Sequence, residues 1–306
     1  MGELLHTDDS RSTGQGRVLL AFAAVTLIWG TTWFVIKGQL GVVPPSWSVA
    51  YRFLLGSAVM FAVALITRER IWLDRRAIGF VSLFGIAQFC FNFNFVYRAE
   101  QYVTSGLVAV VFALLFVPNT LFARLFLGQT FSRRFLVGSL VALCGIGLLF
   151  AQEASGTASA RSATLTGIAF TLAGVVSAST ANVMQASPTA RRLSMVAMLA
   201  WGMLIGGLID AAWAWITTGP PVVDPHPAYF LGLAYLGAIA SALAFTLYFW
   251  TIRQLGPGKA AYSSVVIPVI AMGISTFAEG YQWSALSIGG GVLALMGMVI
   301  ALGRRA

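Results

Sequence analysis

Between Gln88 and Tyr97 the chain reads QFCFNFNFVY, which sets three amides, Gln88, Asn92 and Asn94, among phenylalanines at every second position. Rings and amides side by side can stack and hydrogen-bond a small amphipathic molecule. Alternation with a period of two is the pattern of a β-strand, half-buried in a soluble domain or facing lipid and lumen in an outer-membrane barrel. The element that carries these residues decides which of them share a face.

Composition selects the element. Of the 306 residues 58% are hydrophobic and 9% charged, with a mean hydropathy of +0.84, whereas in soluble domains about a quarter of residues are charged. The chain is an all-α polytopic membrane protein. Apolar runs fall at Arg17 to Ile36, Ser46 to Ile66, Arg76 to Tyr97, Val103 to Leu125, Phe135 to Ala151, Thr164 to Met184, Ser194 to Thr217, Ala228 to Trp250, Ala260 to Ala278 and Ser284 to Leu302, ten in all. Each approaches the ~20 residues that carry a helix across a roughly 30 Å hydrocarbon core, against about ten for a barrel strand. The polar segment through Arg17 leads into Trp29, Gly30 and Trp33 without a small-residue cleavage pattern, so the first run is expected to remain as a helix.

Gln88 to Tyr97 is then the second half of a membrane helix. On an unbroken α-helix Gln88, Phe91, Asn92 and Phe95 stand at i, i+3, i+4 and i+7 on one face, with Phe89 and Phe93 opposite. That face suits an amphipathic ligand in a water-filled cavity; each amide taken alone can equally tie one helix to its neighbour.

Basic residues predict the orientation. With ten spans both ends lie on one side, and the loops there carry fifteen of the nineteen Lys and Arg residues, against Lys37, Arg98 and Arg161 on the other and Arg52 inside a span. The positive-inside rule places both termini in the cytoplasm. These loops account for the net charge of +9, and no basic patch with interleaved aromatics points to nucleic acid. Cys90 and Cys144 lie within spans as small packing residues, and the two histidines, His6 and His226, are peripheral, so no disulfide, metal or other cofactor is expected.

The chain divides at a small-residue polar linker around Ala151 to Gly167, giving five spans in 1–151, a linker at 152–163 and five more in 164–306. An odd number of spans per half inverts the second half relative to the first if the two are related. Pro118 precedes Gln129 by eleven residues and Pro268 precedes Glu279 by eleven; CGIG (Cys144 to Gly147) and LMGM (Leu295 to Met298) lie in the last span of each half; YRAEQYVTSG (Tyr97 to Gly106) and WTIRQLGPGK (Trp250 to Lys259) open the fourth and ninth.

With IWGTTW at Ile28 to Trp33, PPSWSVAYRF at Pro44 to Phe53 and the mid-helix prolines, the chain resembles the drug/metabolite transporter superfamily, and within it the ten-helix EamA-type exporters. The order and spacing of these motifs cover nearly the whole chain. The resemblance implies an inverted five-plus-five repeat around a central cavity lined by spans 1, 3, 4, 6, 8 and 9, in the inner membrane, and export of amino acids or related metabolites. Among these exporters it is most similar to the YddG type, whose implied substrates are aromatic and other neutral amino acids. Gln129 stands where the family often has Glu, so no acidic role is carried over there.

On the implied cavity spans the candidate contacts are Trp29, Thr32 and Trp33; Gln88, Phe91, Asn92 and Phe95; Ser177 and Thr180, beside Ser179 and Asn182; Ser241, Phe245 and Tyr248; and Tyr262 and Ser263, beside Ser264. These rings, hydroxyls and amides bear no fixed charge, although a hydroxyl can instead bond back to its own helix. Pro118 and Pro268 each remove a backbone N–H and kink their helices, with gating as a further role. Arg52, about six residues into the second span and so about 9 Å deep, is expected to snorkel or cap carbonyls. Asp210 and Glu279 are expected near the external interface, leaving no mid-membrane acid or histidine as a proton relay. Facilitated diffusion down a concentration gradient is the simplest mechanism, with alternating access also open and proton-coupled export of other neutral metabolites or drugs as the alternative. A phosphate-bearing substrate would want deep Lys or Arg, and because Lys37 and Lys259 are terminal that class is disfavoured. An intramembrane enzyme lacks its histidines and paired acids, and the internal duplication argues against a receptor or channel.

Overall fold

The computed structural model describes residues 6–153, 157–255 and 263–302. Their long elements are helices: α1 (His6–Lys37), α2 (Pro45–Thr67), α3 (Arg75–Ala99), α4 (Ser105–Leu127), α5 (Arg133–Glu153), α6 (Ala158–Ala186), α7 (Met195–Thr218), α8 (Pro227–Ile252), α9 (Ser263–Ala278) and α10 (Ala285–Leu302). Eight of these, α1 to α8, are long and apolar enough to cross a membrane; α9 and α10 are apolar but shorter, and α9 begins at the border of the undescribed residues 256–262.

The helix ends follow local chemistry. Pro45 and Pro227 sit in first turns, where their missing N–H groups leave nothing unpaired. Asp74 and Ser194 cap α3 and α7 by accepting from Ala77 N (2.7 Å) and Ala197 N (3.3 Å). Gly128, at φ 66°, takes the left-handed conformation that ends α4. In the segment predicted as a linker, residues 158–163 are helical: Thr157 accepts from Ala160 N at 3.3 Å, so α6 starts six residues before the predicted Thr164.

Two helices are internally irregular in a way the hydropathy pattern does not reveal. Ile86–Phe91 in α3 and Tyr235–Leu243 in α8 are π-helical. A π-turn bonds i to i+5, which inserts a residue and rotates the remainder of the helix by about 100° relative to an unbroken α-helix. Each π segment offers a carbonyl to another helix: Ser177 Oγ of α6 donates to Ala87 O (2.8 Å) and Trp29 Nε1 of α1 to Ala240 O (3.2 Å). In α4 a 3₁₀ turn, Ala113–Leu115, precedes Pro118, whereas Pro268 lies inside α9.

The principal helix contacts are α5 with α10, α2 with α7, α4 with α9, α1 with α9, α4 with α6, α2 with α8, α3 with α7, α1 with α8 and α3 with α6. Exchanging each helix with the one five places along the chain leaves this set unchanged, and it also exchanges the two π segments and the two proline-bearing helices.

Candidate functional site

A cavity opens between α1, α2, α3, α4, α6, α8 and α9. Trp29, Phe245 and Tyr248 cluster on one part of its wall, with Trp29 centred 5.2 Å from Phe245 and 4.8 Å from Tyr248. Trp33 packs 5.2 Å from Phe112, and both also line the space, with Thr32, Gln88, Asn92, Asn182, Ser263, Ser264 and Pro268. The Thr32 hydroxyl is committed to Ile28 O at 2.7 Å. By contrast, Gln88 Oε1, Asn92 Oδ1 and Trp33 Nε1 are buried without a hydrogen-bond partner. Buried polar atoms are rarely left so, and these three are on the cavity wall.

Several predicted residues lie elsewhere. Phe91 is 53% exposed on the outside of the bundle, and Phe95 joins an outer ring ladder with Phe170 and Tyr102. Phe93, expected on the opposite face, is on the cavity wall with Gln88 and Asn92. The π-turn is the cause: the regular i, i+3, i+4, i+7 face holds only for an unbroken α-helix, and i to i+5 spacing aligns Gln88 with Phe93. Phe89, 0% exposed, is in the core as expected. Ser177 is taken by Ala87 O, Thr180 bonds back to Val176 O at 3.0 Å, and Ser241 accepts from Arg52 Nε at 2.9 Å, so none of the three is on the wall. Pro118 is also off the wall, and Tyr262 lies outside the described residues.

Asn94 acts as an inter-helix tie. Its Nδ2 donates to Asp210 Oδ1 (2.6 Å) and to Cys90 O, and its Oδ1 accepts from Ser46 Oγ (3.0 Å), which in turn accepts from Arg98. Asp210 is therefore sealed among α2, α3 and α7 and is 0% exposed, level with the first turn of α2 and the last turns of α3. Glu100, in the connection between the third and fourth apolar runs, is also 0% exposed: Lys37 Nζ donates to the carbonyls of Glu100 and Val103 and draws that loop inward. Nearby, Glu279 accepts from Ser105 N, Ser105 Oγ and Ser275 Oγ, closing α4 against the end of α9. Both Asp210 and Glu100 are thus buried acids, and neither reaches the cavity wall.

Arg52 is the wall residue whose placement differs most from expectation. It neither snorkels nor caps a helix end; it is 0% exposed and lines the cavity. The signal for this in the sequence is an arginine inside a span with no acid at matching depth close to it along the chain.

A single cysteine at position 92, in a background lacking Cys90 and Cys144, should react with a water-soluble maleimide and be protected by substrate, whereas one at position 91 should stay unlabelled because it faces lipid. Substrate-protected labelling at 91 alone would reverse the assigned helix phase.

The comparisons with known proteins agree with this architecture. Residues 16–151 and, again, 165–303 match the model of the EamA-like transporter family. Protein PagO of Salmonella typhimurium is 24% identical over 271 residues, covering 89% of this chain and 88% of its own. The uncharacterized inner membrane transporter YedA of Escherichia coli K12 is 28% identical over 292 residues, covering 93% and 90%. A solved protein crystal structure superimposes with a TM-score of 0.67 at 22% identity, over 93% of this chain and 96% of that one, which speaks to the fold alone.

Proposed function

This chain belongs to the EamA-like transporter family, and from that premise we propose that it exports small neutral metabolites, aromatic and other neutral amino acids first among them, in the manner of the YddG type, through the cavity by alternating access. One observation carries the reading: rings and unpartnered amide carbonyl oxygens share a cavity wall, so an aromatic side chain can stack on Trp29 and Tyr248 while Gln88 Oε1 and Asn92 Oδ1 accept from an ammonium group. An inverted repeat of 1–151 and 164–306 across ten spans, both termini cytoplasmic, is part of the proposal. The exchange symmetry of the helix contacts and the doubled family match support the repeat.

Transport in this reading is not coupled to protons, because the buried acids Asp210 and Glu100 stand behind the cavity wall and a relay must share access with the substrate. Proton-coupled export is the second reading, favoured by one feature: both Glu100 carboxylate oxygens lack hydrogen-bond partners. Counterflow in proteoliposomes with a panel of amino acids separates the two. Flux of phenylalanine or tryptophan unchanged by collapse of the pH gradient supports uncoupled transport; flux abolished by a proton ionophore, and made insensitive to it by Glu100→Gln, transfers the assignment to coupled export. A panel that yields no amino-acid flux overturns the substrate reading.

A further inference from the structure

We infer that Arg52 is the carboxylate-recognition residue of this cavity, so that its substrate must present a free, singly charged carboxylate. The inference rests on the amino-acid reading above and narrows it. Arg52 is held, not mobile: Nε donates to Ser241 Oγ at 2.9 Å, and the guanidinium carbon lies 4.3 Å from the centre of the Phe93 ring and 5.2 Å from that of Phe53. Stacking on a ring and one fixed donor set the plane of the guanidinium. The two remaining nitrogens, Nη1 and Nη2, are buried and make no hydrogen bond of good geometry; the Tyr97 hydroxyl, likewise without one, is the neutral polar neighbour that acts on the guanidinium. Nη1 and Nη2 form the fork that matches the two oxygens of a carboxylate.

No protein group neutralises this charge by contact. Among the described residues no carboxylate oxygen lies within ion-pair distance, 4.0 Å, of the guanidinium. The Tyr97 hydroxyl, a neutral group, acts on Arg52 both by charge and by a side-chain hydrogen bond of poor geometry, Tyr235 and Glu100 act on it through space, and the charge acting most strongly on Glu100 is that of Lys37. A buried guanidinium without a charged partner is costly, and an anion in the cavity removes that cost. A single forked cation suits a monoanion. The unpartnered Trp33 Nε1 adds a second donor on the same wall, while Gln88 and Asn92 supply the acceptors for an ammonium.

The test compares L-phenylalanine, L-phenylalaninamide, which keeps ring and ammonium but loses the carboxylate, and phenyl phosphate as competitors of counterflow in proteoliposomes. Wild-type protein should prefer phenylalanine to its amide by tenfold or more. Arg52→Gln should weaken phenylalanine at least tenfold and leave the amide unchanged, so that the ratio falls toward one; Arg52→Lys, which keeps charge but loses the fork, should fall between. If Arg52→Gln is not monodisperse, Arg52→Lys and Ser241→Ala decide, each lowering the ratio severalfold. An unchanged ratio in these variants overturns the inference. Wild type that treats acid and amide alike overturns it while leaving amino-acid transport standing. Wild type that handles neither compound overturns both, and tighter competition by phenyl phosphate than by phenylalanine replaces the carboxylate with a phosphate.

Discussion

Replacing Gly145 by Leu is expected to abolish the folded protein, while replacing Gly147, two residues on, leaves it intact. A Cβ on Gly145 would stand 2.3 Å from Ala294 N and 2.6 Å from Gly290 O, whereas one on Gly147 would meet nothing within 4 Å. The conflict at Gly145 is with backbone, which no rotamer change relieves. It also recurs: a Cβ on Gly138 would stand 2.3 Å from Ala301 N, one on Gly290 2.7 Å from Gly145 O and one on Gly297 2.2 Å from Ala142 N. Glycines seven apart on α5 and on α10 thus let two backbones meet along their length. Within lipid there is little hydrophobic drive to bring helices together, so this close packing of small residues is itself the adhesion. Overfilling a packed site costs about 1–3 kcal/mol and sometimes more; here a whole helix pair must separate, which places Gly145→Leu at or beyond the upper end. Size-exclusion profiles after detergent extraction, with melting temperatures of both variants, give the result. A monodisperse Gly145→Leu protein that melts with wild type would overturn the account.

The second large effect comes from two amides two residues apart. Asn92→Leu should lower transport about tenfold or more with folding preserved, and Asn94→Leu should do the reverse. Asn92 Nδ2 bonds only its own helix, to Gln88 O at 3.3 Å, and Oδ1 has no partner on a residue that lines the cavity. Losing a hydrogen bond to a buried group costs about 1–3 kcal/mol, and each ~1.4 kcal/mol is tenfold. Asn94 instead holds Asp210 Oδ1 at 2.6 Å and accepts from Ser46 Oγ; leaving each of these buried groups without its partner costs about 1–3 kcal/mol, together enough to deplete folded protein. Transport rate per folded molecule, with yield measured separately, checks both. Equal loss of yield in the two variants would show that Asn92 is also a tie between helices.

Much of the cavity is legible in the sequence. Trp29, Trp33, Phe245 and Tyr248 belong to clusters of rings and hydroxyls on spans that the family resemblance assigns to the cavity, and all four line it. The residues that lie elsewhere do so for identifiable reasons. Counting α-helical turns misplaces Phe91 and Phe95, because the turn through Ile86–Phe91 is π-helical. A hydroxyl on a cavity span reads as facing the cavity, but those of Ser177 and Ser241 each bond a group on another helix, Ala87 O and Arg52 Nε.

Membrane class, helical elements and family follow from the amino-acid order with no knowledge of packing, because they depend on quantities that add along the chain: transfer free energies, span lengths and the succession of motifs. That Phe93 lines the cavity in place of Phe91 and Phe95, and that Arg52 is buried on the wall, are consequences of the assembled bundle. Helix phase is cumulative, so one inserted π-turn residue redirects every side chain after it. The partner that fixes Arg52, Ser241, lies 189 residues away, and only packing brings the two together.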